Sequence, residues 1–211
     1  MPNLDNSEYK RFFVTGIGTD VGKTVVSAIL TKALNASYWK PVQSGIVEGS
    51  DSDTIRNLVP NVNIIPERYR LKEPLSPHAA AEIDGIQMEL NELNLPEVSG
   101  HLIVEGAGGL MVPFDQEGTT YLELANFWEL PVVIVSRHYL GSINHTLLTI
   151  EILRSKNLGI KGVVFVGPEN SGSESIIVKR TNVSVLGRIP EVENVDEAFI
   201  SVQASLIRKY L

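Results

Sequence analysis

The sequence predicts an α/β fold in which helices cover both faces of one doubly wound, mainly parallel sheet. Short apolar runs rich in branched residues recur along the chain, and each is followed by a segment of helical period. Three runs, at 101–106, 131–136 and 162–167, are apolar almost throughout, as expected of central strands that are buried on both faces. Because strands and helices alternate at this spacing, we expect parallel pairing with helical crossovers.

The first predicted elements are a strand at 11–16 (RFFVTG) and a helix at 23–34 (KTVVSAILTKAL). Apolar residues at helical spacing give this helix one face that we expect to be buried: Val26, Ile29, Leu30, Ala33 and Leu34. A second strand is predicted at 37–42 (SYWKPV), where Pro41 and the turn-forming residues after it end the run.

The middle of the chain, 60–100, is less regular and carries most of the prolines. We expect one or two short helices there, one of them at 76–83 (SPHAAAEI), lying over the C-terminal edge of the sheet. Beyond it, helical patterns at 119–128 and 142–157 separate the apolar strands.

The last part of the chain begins with 167–183, a short segment that we interpret as a loop. A short strand at 184–187 follows, and a helix is predicted within 195–211. Three residues at helical spacing in that helix are predicted to belong to the core: Phe199, Val202 and Leu206.

Size, charge and composition limit what kind of protein this is. With 211 residues, 43% of them hydrophobic, the chain suits one well-packed domain, which we assign to residues 1–211. A formal net charge of −7 leaves no large basic surface for nucleic acid. No apolar run approaches the roughly 20 residues of a membrane span. The chain has no cysteine, and MPNLDNSEYKRFF lacks the apolar part of a signal peptide, so we expect a cytoplasmic location.

A glycine-rich turn, in the stretch VTGIGTDVGKTVV, separates the first strand from the first helix. The common phosphate-binding pattern is glycine, four residues, then Gly-Lys-Ser/Thr. Gly22-Lys23-Thr24 is present, but five residues separate Gly16 from Gly22, and Ile17 stands at the expected glycine position. Free N–H groups at a helix start favour phosphate. We therefore expect nucleotide binding rather than a plain tight turn, with the lysine on the phosphates and the threonine suited to Mg²⁺.

Other polar residues follow strand ends at the same predicted edge, where ligands bind in open parallel sheets. Lys40 ends the second strand, and two carboxylates, Asp51 and Asp53, follow it. Glu105 ends the next strand before flexible glycines. Two acids, a hydroxyl and a lysine suit Mg²⁺-assisted phosphoryl transfer. The phosphate loop favours metal binding over simple solvation for Glu105, and it leaves open whether Lys40 is a site residue or a surface lysine. The histidines show no metal-ligand spacing and are interpreted as packing or surface residues: His78, His138 and His145.

Taken in order, six motifs resemble those of the dethiobiotin synthetase family over most of the chain. They are GIGTDVGKT, WKPVQSG, SD before a helix, SPHAAA, VEGAGGLMVP and LGSINHTLLT. That family has the P-loop nucleoside triphosphatase fold, and its loop has the same five-residue interval between glycines. The displaced glycine is therefore better explained as a variant loop than as chance.

The resemblance implies an ATP- and Mg²⁺-dependent ligase of biotin biosynthesis. In that reaction CO₂ adds to one amine of 7,8-diaminopelargonate as a carbamate, and ATP phosphorylates the carbamate. The second amine then closes the cyclic urea with loss of phosphate. The resemblance also implies a homodimer, in which the neighbouring subunit holds the substrate carboxylate at the start of a helix.

The resemblance further assigns residues to these tasks. Around the carbamate and the transferred phosphoryl group it places Thr19, Lys23, Lys40 and Ser44. For Mg²⁺ it implies Thr24, Asp53 and Glu105, with Asp53 preferred to Asp51 because SDTIRNL continues directly into a helical run. Nucleotide contacts are expected from Gly18, Thr19, Asp20, Val21, Gly22, Lys23, Thr24, Val25, Glu105, Gly106, Ala107 and Gly108. Substrate contacts are expected from Ser44, Gly141, Ser142, Ile143 and Asn144.

The chain departs from the family pattern at two positions. Asp20 stands where the best-known members have glutamate, and Val166 stands where many members have an asparagine that recognises adenine. Valine cannot form those hydrogen bonds. Either Asn170 replaces the asparagine or selection of the base is loose, so triphosphate binding is predicted more firmly than a preference for ATP.

Two other functions fit the same loop and sheet. An amidotransferase-type ligase of the cobyrinate-modifying class would need a glutamine-hydrolysing domain with a catalytic cysteine, and the chain has no cysteine. A switch ATPase of the partition or division-site type would carry an extra lysine near the loop start, where this chain has Gly18. The C-terminal ASLIRKYL is also too short and weakly basic for stable membrane attachment.

Overall fold

The computed structural model describes residues 9–211, apart from the side chain of Glu48. The prediction that the N-terminus lacks an export signal lies largely outside these residues, because it rests on residues 1–13. In the part of the chain that is described, no helix is both long enough and apolar enough to cross a membrane. That residues 1–211 form one domain stays a prediction.

The strands and helices alternate along the chain. The strands are β1 Arg11–Gly16, β2 Ser37–Trp39, β3 Val42–Ser44, β4 Ile64–Ile65, β5 Tyr69–Leu71, β6 Leu102–Gly109, β7 Val132–Arg137, β8 Ile160–Val166 and β9 Val185–Ile189. The helices are α1 Lys23–Leu34, α2 Asp51–Leu58, α3 Pro77–Asp84, α4 Tyr121–Trp128, α5 Ser142–Ser155, α6 Ser171–Thr181 and α7 Glu197–Ile207. Short 3₁₀ turns lie at Ile46–Glu48, Leu90–Glu92 and Arg208–Tyr210.

The main sheet has seven strands in the order β4-β2-β6-β1-β7-β8-β9. All its pairs are parallel, which confirms the predicted fold class. β1 lies between β6 and β7, and successive crossovers from it run first to one side of the sheet and later to the other. Ligands bind where the crossover direction changes in such sheets, and this place lies beyond the C-terminal end of β1.

The predicted second strand is divided in two at Pro41. β2 joins the main sheet, whereas β3 pairs in parallel with β5 in a separate two-stranded sheet. Proline has no N–H to continue the ladder, and the Pro41 carbonyl accepts from the Arg68 and Tyr69 N–H groups at 2.9 and 3.1 Å. The break leaves Lys40 at the C-terminal edge of the main sheet.

The segment 167–183, interpreted as a loop from the sequence, contains helix α6. Its apolar residues form no clear stripe, so the helical period is weak in the sequence. The helix starts at a side-chain cap, in which Asn170 Oδ1 accepts from the Ser173 N–H at 3.0 Å.

The predicted buried face of α7 is wrong. Val202 and Leu206 are 58% and 59% exposed, and Phe199 is only partly buried. The buried face lies about one residue further round the helix and includes Ile200, Gln203, Ala204 and Ile207. Both faces carry apolar residues at helical spacing, so the pattern alone could not choose between them. The corresponding prediction for α1 is confirmed, since its five expected core residues are all buried.

Candidate active site

Two glycines let the glycine-rich loop pass close to the ends of β6 and β8. Gly16 lies against Gly108 of β6, and Gly22 lies against Val166 of β8. A Cβ on Gly16 would come within 2.7 Å of the Gly18 carbonyl oxygen and 3.1 Å of the Gly108 carbonyl oxygen. Gly22, at the start of α1, has φ of +93°, and a Cβ there would lie 3.3 Å from the Val166 side chain. Ile17, at the position where glycine is usual, is buried. The displaced glycine therefore meets a steric requirement of this loop.

Lys23 lies in the first turn of α1 and folds back over the loop. Its Nζ donates to the Gly18 carbonyl at 3.1 Å. Burial, and then the nearby ammonium of Lys40, lower the pKa of Lys23 to about 8, against smaller opposite contributions from neighbouring carboxylates. A bound polyphosphate would place negative charge next to this amine and so favour its protonated form.

Lys40 is 4% exposed and lies between two carboxylates. Its Nζ is 3.1 Å from Glu105 Oε1 and 3.1 Å from the Gly106 carbonyl oxygen, and it also forms an ion pair with Asp51. Burial by itself would lower the pKa of Lys40, but the two carboxylates outweigh it and raise the pKa above its ordinary value. Lys40 is thus a buried, charged residue, and the surface-lysine alternative is wrong.

The structure replaces Asp53 with Asp51 at the predicted metal position. The Thr24 hydroxyl lies 2.8 Å from Asp51 Oδ1 and 3.1 Å from Glu105 Oε1. The Asp53 side chain is 54% exposed and belongs to the capping box of α2, where it accepts from the Ser50 hydroxyl at 2.7 Å. The helical run that follows Asp53 places it at the N3 capping position, so the geometry favours Asp51 over Asp53 as the metal ligand.

Thr24, Asp51 and Glu105 offer only oxygen donors, which fit Mg²⁺. Among the residues that the structure describes, no three Asp, Glu, His or Cys side chains form a metal site. Such a donor set suits a cation that completes its shell with phosphate oxygens and water. Two of the histidines make local contacts instead: His138 Nε2 lies 3.0 Å from Glu174 Oε1, and His145 Nδ1 lies 2.7 Å from the Tyr139 hydroxyl.

These groups surround a cavity of about 700 Å³ at the C-terminal edge of the sheet. Of the predicted site residues, its lining includes Thr19, Asp20, Gly22, Lys23, Thr24, Val25, Lys40, Ser44, Glu105, Ala107 and Gly108. The Gly18 carbonyl accepts from Lys23 and the Gly106 carbonyl accepts from Lys40, while the Val21 side chain is buried. Sequence reasoning missed other lining residues, namely Gln43, Pro74, Leu75, Ser76, Pro77, Val112 and Arg137.

Some of the missed residues carried signals in the sequence. Gln43 lies inside the motif WKPVQSG, and its Oε1 accepts from the Asp51 N–H at 2.9 Å, so it helps to place that carboxylate. Arg137 ends β7, at the same edge as the other strand-end residues. The neighbouring Ser44 hydroxyl is buried and has no partner among the described residues, which leaves it available to a ligand.

A second cavity of about 550 Å³ adjoins the first, since Gly22, Val25 and Arg137 line both. Its other lining residues are Val26, Val166, Ile189, Pro190, Glu191, Val192, Glu193, Val195 and Phe199. Asn170 does not line it, and its side-chain oxygen already caps α6. The structure therefore gives Asn170 no place in this cavity.

The start of α5, predicted to bind substrate, lies apart from the main cavity. Gly141 and Ile143 line a separate cavity of about 500 Å³ with the start of α6, Ser142 is buried, and Asn144 lines neither cavity. Within one chain, therefore, the structure does not bring Gly141–Asn144 together with the loop. The adjacent Leu140 is fully exposed.

Solved structures of low identity share the fold. A plasmid partition protein from Borrelia burgdorferi matches with a TM-score of 0.60 at 13% identity, over 96% of this chain and 97% of that one. The cell division ATPase MinD from Pyrococcus furiosus matches with a TM-score of 0.59 at 16% identity, over 94% of this chain and 98% of that one. At these identities the likeness supports the P-loop fold alone.

Sequence relatives are much closer. A family described as an AAA domain matches residues 10–198. The ATP-dependent dethiobiotin synthetase BioD of Rhodopseudomonas palustris (strain TIE-1) is 50% identical over 89% of each chain. The enzyme of the same name from Christiangramia forsetii is 48% identical over 96% of this chain and 98% of its own. With the loop and its charged cavity in place, these matches show that the chain belongs to the ATP-dependent dethiobiotin synthetase family.

Proposed function

We propose that this chain synthesises dethiobiotin from 7,8-diaminopelargonate, CO₂ and ATP. The observation that carries the proposal is the buried Lys40, held between Asp51 and Glu105 at the mouth of a phosphate-binding loop. A buried ammonium so placed faces the position at which negative charge develops during phosphoryl transfer. A second buried lysine, Lys23, lies beside it. The Lys23 ammonium donates to the Gly18 carbonyl, and a phosphate would replace that carbonyl as the acceptor.

The reaction begins when one amine of the substrate adds to CO₂ and loses a proton, which gives a carbamate. A carbamate oxygen attacks the γ-phosphorus of ATP, the bond to the β-phosphate oxygen breaks, and ADP leaves. The second amine then attacks the carbamoyl carbon and loses a proton, the bond from that carbon to the phosphate oxygen breaks, and phosphate leaves as the cyclic urea forms. Negative charge develops on or moves between oxygens in each step, so cationic and N–H donors that are already in place lower the barrier.

We assign Lys23 to the phosphates of ATP and Lys40 to the carbamate and the transferred phosphoryl group. Thr19 and the loop N–H groups contribute further donors, since Thr19 lines the same cavity. The unpartnered Ser44 hydroxyl is assigned to the carbamate end of the substrate. The loop and the EGAGG segment at 105–109, which forms the C-terminal part of β6, would enclose the nucleotide phosphates between them.

Thr24, Asp51 and Glu105 would hold Mg²⁺, which when bound neutralises phosphate charge and orients the γ-phosphoryl group. Two carboxylates and a hydroxyl are the expected donors for such an ion. The present contacts of Lys40 with both carboxylates neutralise part of their charge in the protein itself.

We place the base of the nucleotide in the second cavity, because that cavity shares Gly22, Val25 and Arg137 with the phosphate site. Its lining is largely apolar, and Val166 offers the base no hydrogen bond.

We also propose a homodimer in which the start of α5 from the partner completes the substrate site. The separation of Gly141–Asn144 from the main cavity of one chain supports this arrangement. A helix N-terminus has free N–H groups for a carboxylate. The fully exposed Leu140 next to it would be covered in a dimer.

The main alternative, a switch ATPase, rests on the fold alone and is not favoured. The partition and division ATPases resemble this chain at 13–16% identity, against 48–50% for the synthetases described above. Gly18 occupies the position at which such ATPases carry an additional loop lysine.

The test is to incubate the purified protein with Mg²⁺, bicarbonate, 7,8-diaminopelargonate and ATP, and to detect dethiobiotin by mass. We expect product from the wild type but not from Lys23→Ala. The control is Lys32→Ala, which should also give product, because Lys32 belongs to the same helix but pairs with Glu197 outside the cavity. ATP hydrolysis that does not depend on 7,8-diaminopelargonate would instead indicate a switch ATPase. ATP binding without product would show that the acceptor is wrong.

A further inference from the structure

The two carboxylate oxygens of Glu105 lie in different surroundings. Oε1 faces the site, 3.1 Å from Lys40 Nζ and 3.1 Å from the Thr24 hydroxyl. Oε2 points the other way and accepts from the Tyr38 hydroxyl at 3.0 Å. Tyr38 is fully buried and lines none of the cavities described above, so it does not contact a ligand directly.

The main sheet fixes this pair. β2 runs parallel to β6 with Tyr38 opposite Ile103. Because side chains alternate along a strand, Glu105 lies on the same face as Ile103, two residues further on. The Tyr38 ring therefore lies along this face of the sheet, and its hydroxyl reaches the Glu105 carboxylate. A carboxylate oxygen only accepts, so in this contact the Tyr38 hydroxyl is the donor.

We propose that Tyr38 is a positioning residue that keeps Glu105 Oε2 away from the cation, so that Glu105 can bind Mg²⁺ through Oε1 alone. The proposal rests on the function proposed above, in which Thr24, Asp51 and Glu105 hold Mg²⁺. It concerns residues of this chain only, and no other described side chain donates a hydrogen bond to Oε2.

One-oxygen binding matters because Mg²⁺ requires a compact, nearly octahedral shell, whereas Ca²⁺ accepts carboxylates that bind through both oxygens. Without the Tyr38 hydroxyl, Oε2 would be a buried acceptor without a donor. The carboxylate would then turn toward Lys40 and the cation to satisfy it. Loss of the hydroxyl should therefore weaken Mg²⁺ more than Ca²⁺.

The experiment compares the wild type with Tyr38→Phe, which keeps the ring and removes the hydroxyl. Tyr69→Phe is the matched control, because Tyr69 is also buried and also donates to a glutamate, Glu92, at 2.8 Å, but lines none of the described cavities. Binding of ADP is measured by calorimetry with no divalent cation, with Mg²⁺ and with Ca²⁺. Thermal unfolding without nucleotide gives the stability of each variant.

We expect ADP binding without a cation to be unchanged in Tyr38→Phe. The tightening produced by Mg²⁺ should fall about tenfold, as for other residues that orient a metal ligand, and the Ca²⁺ effect should fall less. Tyr69→Phe should show the same Mg²⁺ and Ca²⁺ effects on ADP binding as the wild type. If Tyr38→Phe loses stability but keeps the wild-type Mg²⁺ and Ca²⁺ effects, Tyr38 only packs in the core and the inference is overturned.

A structure of the wild type with Mg²⁺ and ADP tests the same point without any variant. We expect Glu105 to contact the ion through one oxygen while the Tyr38 hydroxyl stays on the other. A two-oxygen contact, or a broken Tyr38 bond, would overturn the inference and leave the proposed function intact. If Mg²⁺ does not tighten ADP binding to the wild type at all, the proposed metal site itself is wrong.

Discussion

The Thr24 hydroxyl lies 2.8 Å from Asp51 Oδ1, although the two residues are 27 positions apart along the chain. Thr24 belongs to the first turn of α1 and Asp51 begins α2, so the contact joins the phosphate loop to the segment after β3. Lys40 and Glu105 complete the group from two neighbouring strands of the main sheet.

Asp51 and Asp53 provide a matched pair for the metal site. Asp51→Asn should reduce kcat/KM at fixed Mg²⁺ by about a hundredfold or more, because a charged oxygen ligand is lost. Asp53→Asn should leave kcat/KM nearly unchanged and lower the free energy of unfolding by no more than about 1 kcal/mol, since asparagine still accepts in a cap. Mg²⁺ titrations of turnover and denaturant unfolding measure both effects. Equal losses of activity in the two variants would contradict the assignment of Asp51.

Replacement of Lys40 should destabilise the protein. Lys40→Met removes the cation between two carboxylates and should cost about 3–5 kcal/mol of unfolding free energy at neutral pH. Urea unfolding near pH 7 measures this loss. A loss of less than about 1 kcal/mol, as for an exposed ion pair, would contradict it.

The lowered pKa of Lys23 should make nucleotide affinity depend on pH. In the free protein Lys23 loses its proton as the pH rises through about 8. Bound phosphate favours the charged form and raises the pKa, so binding takes up a proton above that pH and the affinity for ATP falls there by up to about tenfold per pH unit. Below about 8 the affinity should be constant. Competition against a fluorescent nucleotide measures the profile, and Lys23→Arg, if it binds, should flatten it because guanidinium stays charged.

The apolar base cavity should select weakly among nucleotides. The side chains that line it with Val166 are mostly apolar, and Glu191 is already paired with Arg137. Sites that read hydrogen bonds reject wrong partners by about 10⁴-fold, whereas apolar contacts discriminate by about 10- to 100-fold. We expect kcat/KM for ATP, GTP and CTP to lie within about tenfold of one another. A preference of about a thousandfold for ATP would show that backbone groups read the base.

The orientation of α7 can be checked by paired substitutions. Ile200→Ala should lower the unfolding free energy by about 2–4 kcal/mol, because Ile200 is fully buried. Leu206→Ala should cost about 0.5 kcal/mol or less in the monomer, because this side chain is largely exposed. Urea unfolding at equal protein concentration measures both. A larger loss from Leu206→Ala would mean that a partner covers this face.

The sequence was informative where local pattern and buried contact agree. The apolar runs at β6, β7 and β8 marked central strands, and Gly22-Lys23-Thr24 after the strand β1 marked the phosphate loop. The sequence was uninformative where one pattern fits two structural interpretations. Asp51 and Asp53 stand on the same helix start, and only the structure shows that Asp51 contacts Thr24 and Lys40 whereas Asp53 caps the helix.

By itself, the sequence determined the fold class, the phosphate loop, the strand-end positions of Lys40 and Glu105, and the resemblance that names the family. These follow from period, glycine spacing and residue order, which are local properties of the chain. The tertiary structure alone decided that Asp51 contacts Thr24, that the Tyr38 hydroxyl donates to Glu105, and that α7 buries Ile200 rather than Leu206. Each of these depends on which element packs against which, because hydrogen bonds and burial join residues that are far apart in the sequence.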